Sequence, residues 1–234
     1  VPFGNFETYM VSDPLTLELA ETREKAAQLL VETGGFYGSV YLFNGTTQDD
    51  EDDMIDHYGG NLGFAQETDS FSYDVGIGYI NDMGDTGSIG DMLEPKLSPK
   101  WVNYDYVDGF SGHLIFKIGP VSLTGEYVTA LDQFDASQFA FNGNGAEPKA
   151  WNLEAGYTLP IASYETTFAL GYQGTDEAVA LALPETRISG VVSVALNDNT
   201  TASLEYAVDE DYETSDGGTG EDADSVILQL AVEF

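Results

Sequence analysis

The sequence predicts an all-β chain, an antiparallel up-and-down transmembrane β-barrel of about 12 strands. Three observations carry that expectation. Apolar and polar residues alternate with a period of two over many short segments. The links between those segments are short and long in strict turn. No run of about 18 apolar residues offers a transmembrane helix.

The alternation is plainest in Ser225–Phe234. Val226, Leu228, Leu230, Val232 and Phe234 fall on one side, Ile227, Gln229, Ala231 and Glu233 on the other. Successive side chains of a strand point to opposite faces, whereas a helix would mix these sets. Trp151–Leu159, Tyr164–Gln173, Phe71–Ile80, Val121–Leu131 and Arg187–Leu196 read the same way. Eleven strands are legible, at approximately 25–32, 36–44, 57–67, 71–81, 109–119, 121–131, 149–159, 164–175, 185–196, 200–209 and 224–234.

The short links are Thr33–Gly35, Thr68–Ser70, Gly119–Pro120, Pro160–Ser163 and Asn197–Asn199, all rich in turn formers. The long links are 45–56, 82–108, 132–148, 176–184 and 210–223. Outer-membrane barrels pair short periplasmic turns with long extracellular loops, and a soluble sandwich has no reason to. On that polarity the last strand runs inward and Phe234 ends in the periplasm. A terminal aromatic after alternating apolar residues resembles the signal read by the outer-membrane assembly machinery, which is therefore an expected partner. Eleven strands are odd where bacterial barrels are even. The missing strand is expected within Val1–Met10 or, preferentially, upstream of Val1. We treat 1–234 as one barrel domain. Residues 1–24 form a pore-mouth or partial-strand segment, and 25–234 supply strands and loops.

Forty-one Asp plus Glu stand against seven Lys plus Arg, a formal charge of −34. Such a surface repels nucleic-acid phosphates and favours cations. The chain has no Cys, so disulfides and thiolate metal sites are excluded.

If the apolar faces meet outer-membrane lipid, Trp151, Tyr157, Tyr164, Tyr172, Tyr73, Tyr79 and Phe234 fall near strand ends, where aromatic girdles belong. The opposite faces then line a lumen with Asp74, His113, Lys117, Glu126, Glu154, Glu165, Arg187, Glu205 and Glu233. Charges of this kind call for water or close pairing. The first reading is a watered pore biased against anions, the second a narrow barrel whose inner residues form a hydrogen-bonded plug.

The acidic run Asp49, Asp50, Glu51, Asp52 and Asp53 could gather calcium ions. Its spacing is not that of an EF-hand, and a solvated acidic loop explains it better. The link 82–108 carries Met92, Leu93, Trp101, Tyr104 and Tyr106, and is expected to fold over or into the pore mouth. His57 and His113 are the only histidines, too few and too separated in sequence for a metal site of their own. Ser111 and His113 share a strand face, a weak nucleophile–base pairing. There is no GxSxG elbow, P-loop or dinucleotide fingerprint. No catalytic residue and no cofactor is expected, and the chain reads as a non-enzyme.

The stretch Val1–Glu24 resembles one in LbtU-type siderophore porins, through Pro2–Gly4, Phe6–Thr8, Ser12–Leu19 and Glu21–Thr22. That resemblance covers about a tenth of the chain. It implies an outer-membrane barrel associated with TonB-independent uptake of ferric siderophores, with an N-terminal region ahead of this block. Leu15, Leu17 and Leu19 alternate as a short strand would, as part of a loop hairpin or of the missing wall strand. The expected function is porin-like passage of a small solute, a ferric siderophore being one candidate. The alternative is a non-transport barrel, an adhesin or anchor, whose acidic loops bind cations.

Overall fold

The computed structural model describes residues 2–4, 6–45, 47, 55–97 and 104–233. Eleven long strands follow one another in chain order as a single antiparallel meander. They are β1 (Ala26–Thr33), β2 (Phe36–Phe43), β3 (His57–Glu67), β4 (Phe71–Ile80), β5 (Gly109–Ile118), β6 (Val121–Ala130), β9 (Lys149–Ile161), β10 (Tyr164–Asp176), β11 (Thr186–Asn197), β12 (Thr200–Glu210) and β13 (Asp222–Val232). A two-residue-per-strand hairpin, β7 (Ala140–Phe141) with β8 (Asn144–Gly145), decorates the link between β6 and β9. Every expected strand is present, shifted at its ends by a residue or two.

The turns follow from local backbone chemistry. Gly34 and Gly35 both take positive φ, at 57° and 90°, the conformation a two-residue hairpin loop requires. Asn199 donates its N–H to the Asn197 side chain at 3.0 Å, closing the β11–β12 turn. The long links all lie at the other end of the meander, as the alternation requires.

The two faces differ in kind. Outward, Leu29, Val40, Leu62, Leu114, Leu153, Leu170, Ile188, Leu204 and Leu228 stand exposed in rows across the wall. Large contiguous apolar surface of that sort is unfavourable in water and favourable against hydrocarbon. Inward, Ser39, Ser111, Glu126, Asn152, Glu154, Gln173, Ser189 and Glu205 are buried. Among the described residues no helix is long and apolar enough to cross a membrane, which says nothing of strands.

A buried apolar cluster joins Tyr41 and Phe43 of β2, Ile80 of β4, Val128 and Ala130 of β6, and Ala150 of β9. Residues from so many strands share one core because the wall curls around it. Its centre is two helices, α1 (Leu15–Ala20) and α2 (Gly87–Leu97), which contribute Leu15, Leu19, Ile89 and Leu93. The link 82–108 therefore folds into the long-link end of the barrel, through α2. Trp101 and Asp49–Asp53 lie outside the described residues, as does Phe234.

Two expectations are corrected. The Leu15–Leu19 alternation forms helix α1, not a strand. Pro14 has φ near −68° and starts the helix, and Leu15, Thr16, Leu19 and Ala20 are its buried residues. No twelfth wall strand arises from Val1–Met10, whose described residues carry no strand. Among the described residues the wall has eleven strands, and β1 and β13 run in the same direction. Antiparallel pairing of these two edges with each other is excluded, and both are exposed along nearly their whole length.

Candidate functional site: the occupied interior

The inward polar residues do not face an open channel. They hold the N-terminal segment, which runs along the inner face of the wall. Phe3 offers its carbonyl to the Ser111 hydroxyl of β5. On β9, Glu154 accepts the Thr8 hydroxyl at 2.6 Å and the Tyr9 N–H at 2.8 Å. Glu205 of β12 accepts the N–H of Val11, the N–H of Ser12 at 3.0 Å and the Ser12 hydroxyl at 2.5 Å. On β6, Glu126 accepts the Thr16 hydroxyl at 2.7 Å. Gln173 of β10 accepts the Leu15 N–H at 2.8 Å.

Each contact answers a physical need. The segment from Phe6 to Pro14 has neither helix nor ladder, so its backbone N–H groups need other acceptors once buried. Carboxylates are the strongest available, since charge-assisted bonds are shorter and stronger than neutral ones. For the wall acids, in turn, these bonds offset part of the cost of burial.

Among the described residues, Arg187 of β11 brings a guanidinium to the inner face. It forms a two-pronged pair with Asp209 of β12, Nε to Oδ1 at 2.7 Å and Nη2 to Oδ2 at 2.9 Å. Its Nη1 reaches the Asp13 carbonyl at 3.3 Å and Glu18 at 3.5 Å. Burial pushes the Glu18 carboxyl above its ordinary range, opposed by the attraction of Arg187. At the short-turn end Lys117 approaches Glu7 at 3.8 Å.

Small residues on the wall leave room for the segment. A Cβ on Gly78 would stand 1.9 Å from the Phe3 carbonyl oxygen, so no side chain fits there while Phe3 is in place. A polar cavity of about 300 Å³ lies beside Phe3 and Phe6, walled by Tyr37, Asn61, Asp74, Ser111 and His113.

Of the residues expected to line a lumen, Glu126, Glu154, Glu205 and Arg187 converge on the N-terminal segment. The watered surroundings expected of these three glutamates are corrected. All three are buried, and each accepts at least one hydrogen bond from the segment, while Glu126 Oε1 stays without a partner among the described residues. Asp74 and His113 lie together at the polar cavity, 3.3 Å apart, with the Tyr37 hydroxyl 2.7 Å from Asp74 and 3.1 Å from His113. His113 does not meet Ser111, whose hydroxyl is spent on Phe3, so the weak nucleophile–base pairing is not formed. Glu165 is exposed near the short-turn end, and Glu233 is exposed beyond β13.

Sequence reasoning missed Gln173, Thr8, Ser12 and Thr16. It placed the acids on the inner face without identifying what they hold. The available signal was the density of Ser and Thr in Val1–Glu24 opposite a wall rich in acceptors.

No family model matches the chain. It is 30% identical over a 268-residue alignment to a UPF0422 protein of Legionella pneumophila, covering all of this chain and 49% of that protein. Identity to a UPF0422 protein of Coxiella burnetii is 28% over 232 residues, covering 94% of this chain and 48% of the relative. The chain spans about half the length of the curated relatives it matches. Among solved structures, the NanC porin aligns with a TM-score of 0.41 at 9% identity, covering 89% of this chain and 92% of that one.

Proposed function

We propose that the chain forms the wall and resident plug of an outer-membrane, porin-like barrel that passes small cationic or neutral solutes. The observation that supports this reading best is the division of the wall. Its outer face is mainly apolar, and its inner face is polar and grips a segment of the same chain by reversible hydrogen bonds. A wall made only to anchor something would fill its interior with apolar side chains more stably than with buried carboxylates.

On this reading the segment Pro2–Glu24 is the gate. Residues Phe6–Pro14 lack internal backbone bonds and are held by two glutamates, Glu154 and Glu205, so displacement costs a handful of contacts and leaves the wall ladders intact. The freed lumen then presents Glu126, Glu154 and Glu205, a field that admits cations and neutral solutes and repels anions. The segment that fills the interior is also the one that resembles siderophore porins, which supports a ferric siderophore as the solute. Lipid around the apolar wall and the assembly machinery at the Phe234 end are the further partners this reading requires.

Planar-bilayer recording tests it. The purified chain should give rare, cation-selective openings. The combined Glu126→Gln, Glu154→Gln, Glu205→Gln variant should open far more often. Addition of a ferric siderophore should interrupt the open current. Bilayers that stay silent with both proteins would favour the anchor or adhesin reading instead.

A further inference from the structure

At the long-link end, away from the plug contacts, four polar side chains from three chain segments meet in a buried knot. His57 opens β3, Asp82 and Asp85 flank a short 3-10 turn (Met83–Asp85) in the link to β5, and Thr47 lies in the link before β3. The side chains of His57, Asp82 and Asp85 are fully inaccessible. Thr47 is buried as well.

The spacing is that of a coordination shell. His57 Nε2 lies 2.9 Å from Asp85 Oδ2, 3.5 Å from Asp82 Oδ2 and 2.9 Å from Thr47 Oγ1. Thr47 Oγ1 lies 2.7 Å from Asp82 Oδ2. The three ligand atoms of His57, Asp82 and Asp85 all fall within 4.8 Å of one another. Metal–ligand bonds of about 2.0–2.2 Å put neighbouring donors roughly 2.8–3.6 Å apart in octahedral or tetrahedral shells. The observed separations of 2.9 and 3.5 Å to His57 match those edges.

The donors are also oriented from behind. His57 Nδ1 is 2.8 Å from Asp56 Oδ1, the carboxylate–histidine arrangement that presents Nε2 to a metal. Asp82 Oδ1 accepts the Tyr104 hydroxyl at 2.6 Å and the Gly84 N–H at 2.9 Å, leaving Oδ2 to face the knot. Thr47 N–H donates to Asp85 Oδ1 at 3.3 Å, which leaves Oδ2 facing inward.

We propose that His57 Nε2, Asp82 Oδ2 and Asp85 Oδ2 bind one divalent first-row transition ion, with Thr47 Oγ1 beside it, so that the ion ties two long links to the start of β3 above the plugged interior. The imidazole and the small donor number suit such an ion. Calcium asks for six to eight oxygens at longer range.

The test uses the whole chain in detergent micelles, stripped with chelator and titrated calorimetrically with Zn²⁺. We expect one saturable equivalent and at least ten-fold weaker binding of Mg²⁺ and Ca²⁺. Asp85→Asn and His57→Gln should each weaken Zn²⁺ by ten-fold or more. His113→Gln, and neutralisation of Asp49–Asp53 to amides, should leave the equivalent in place. X-ray absorption at the zinc edge of the unaltered protein supplies a measurement independent of any variant's folding. One imidazole nitrogen with oxygen donors is expected. Absence of saturable Zn²⁺ binding, unchanged affinity in both His57→Gln and Asp85→Asn, loss on neutralising Asp49–Asp53, or an all-oxygen shell would each overturn the assignment.

Discussion

Gln173 caps helix α1 from the barrel wall. Its buried side-chain oxygen accepts the N–H of Leu15, the first residue of the helix, at 2.8 Å and across 158 positions of sequence. Pro14 provides no side-chain cap of its own. A helix end leaves its first N–H groups without internal partners, and here the barrel supplies one. Replacing Gln173 with Leu keeps the bulk and removes the acceptor. We expect α1 docking to lose about 1–2 kcal/mol, seen as faster amide exchange at Leu15–Ala20 while β10 stays protected. Unchanged exchange in α1 would sink the capping argument.

Glu205 holds two consecutive amides and one hydroxyl of the segment. Glu205→Gln retains shape but exchanges a charged acceptor for a neutral one. Exchange at Val11 and Ser12 should accelerate by roughly ten-fold or more, the equivalent of about 1.5–3 kcal/mol for a charge-assisted contact. Strands β11 and β13 should keep their protection.

Gly78→Ala places a methyl where the Phe3 carbonyl now sits. The wall backbone has ladder partners on both sides, so the segment is the part that yields. Residues 2–6 should become accessible to protease, with a smaller change beyond Thr8.

Leu19 of α1 is fully buried against the loop helix and the wall. Leu19→Ala should destabilise the inner core by about 2–5 kcal/mol, the range for truncating a buried leucine. The measurable result is a lower unfolding temperature for the α1–α2 unit and more frequent channel openings. Retained closure would mean that α1 does not help occlude the barrel.

Glu18 binds its proton more tightly folded than unfolded, because burial outweighs Arg187. Its contribution to stability is therefore fully present below the ordinary glutamate pKa and is lost as pH rises through the raised folded value. Segment docking should tighten as pH falls across that window. Glu18→Gln should flatten the dependence, checked by exchange at Glu18 and its neighbours over a pH series.

Much of the fold was legible before any coordinates. Val121–Ala130 and Thr200–Glu210 run between turn residues and alternate so regularly that pairing, direction and facing follow from a period of two. Glu126, Glu154 and Glu205 fell on the inner face for the same reason. Leu15–Ala20 misled because three leucines at i, i+2 and i+4 suit a short strand as well as a helix turn, and six residues are too few for periodicity to arbitrate.

The sequence by itself determined the wall: its strands, its turn polarity, and which side is apolar. Those properties are local, written into alternation and turn chemistry. Only the tertiary structure decided what fills the interior, because no local rule links Ser12 to Glu205 or Leu15 to Gln173. Likewise, His57, Asp82 and Asp85 share a knot only because the meander brings the two ends of long links together. Contacts between residues far apart in the chain depend on where curvature delivers each strand, and a period of two carries no record of that curvature.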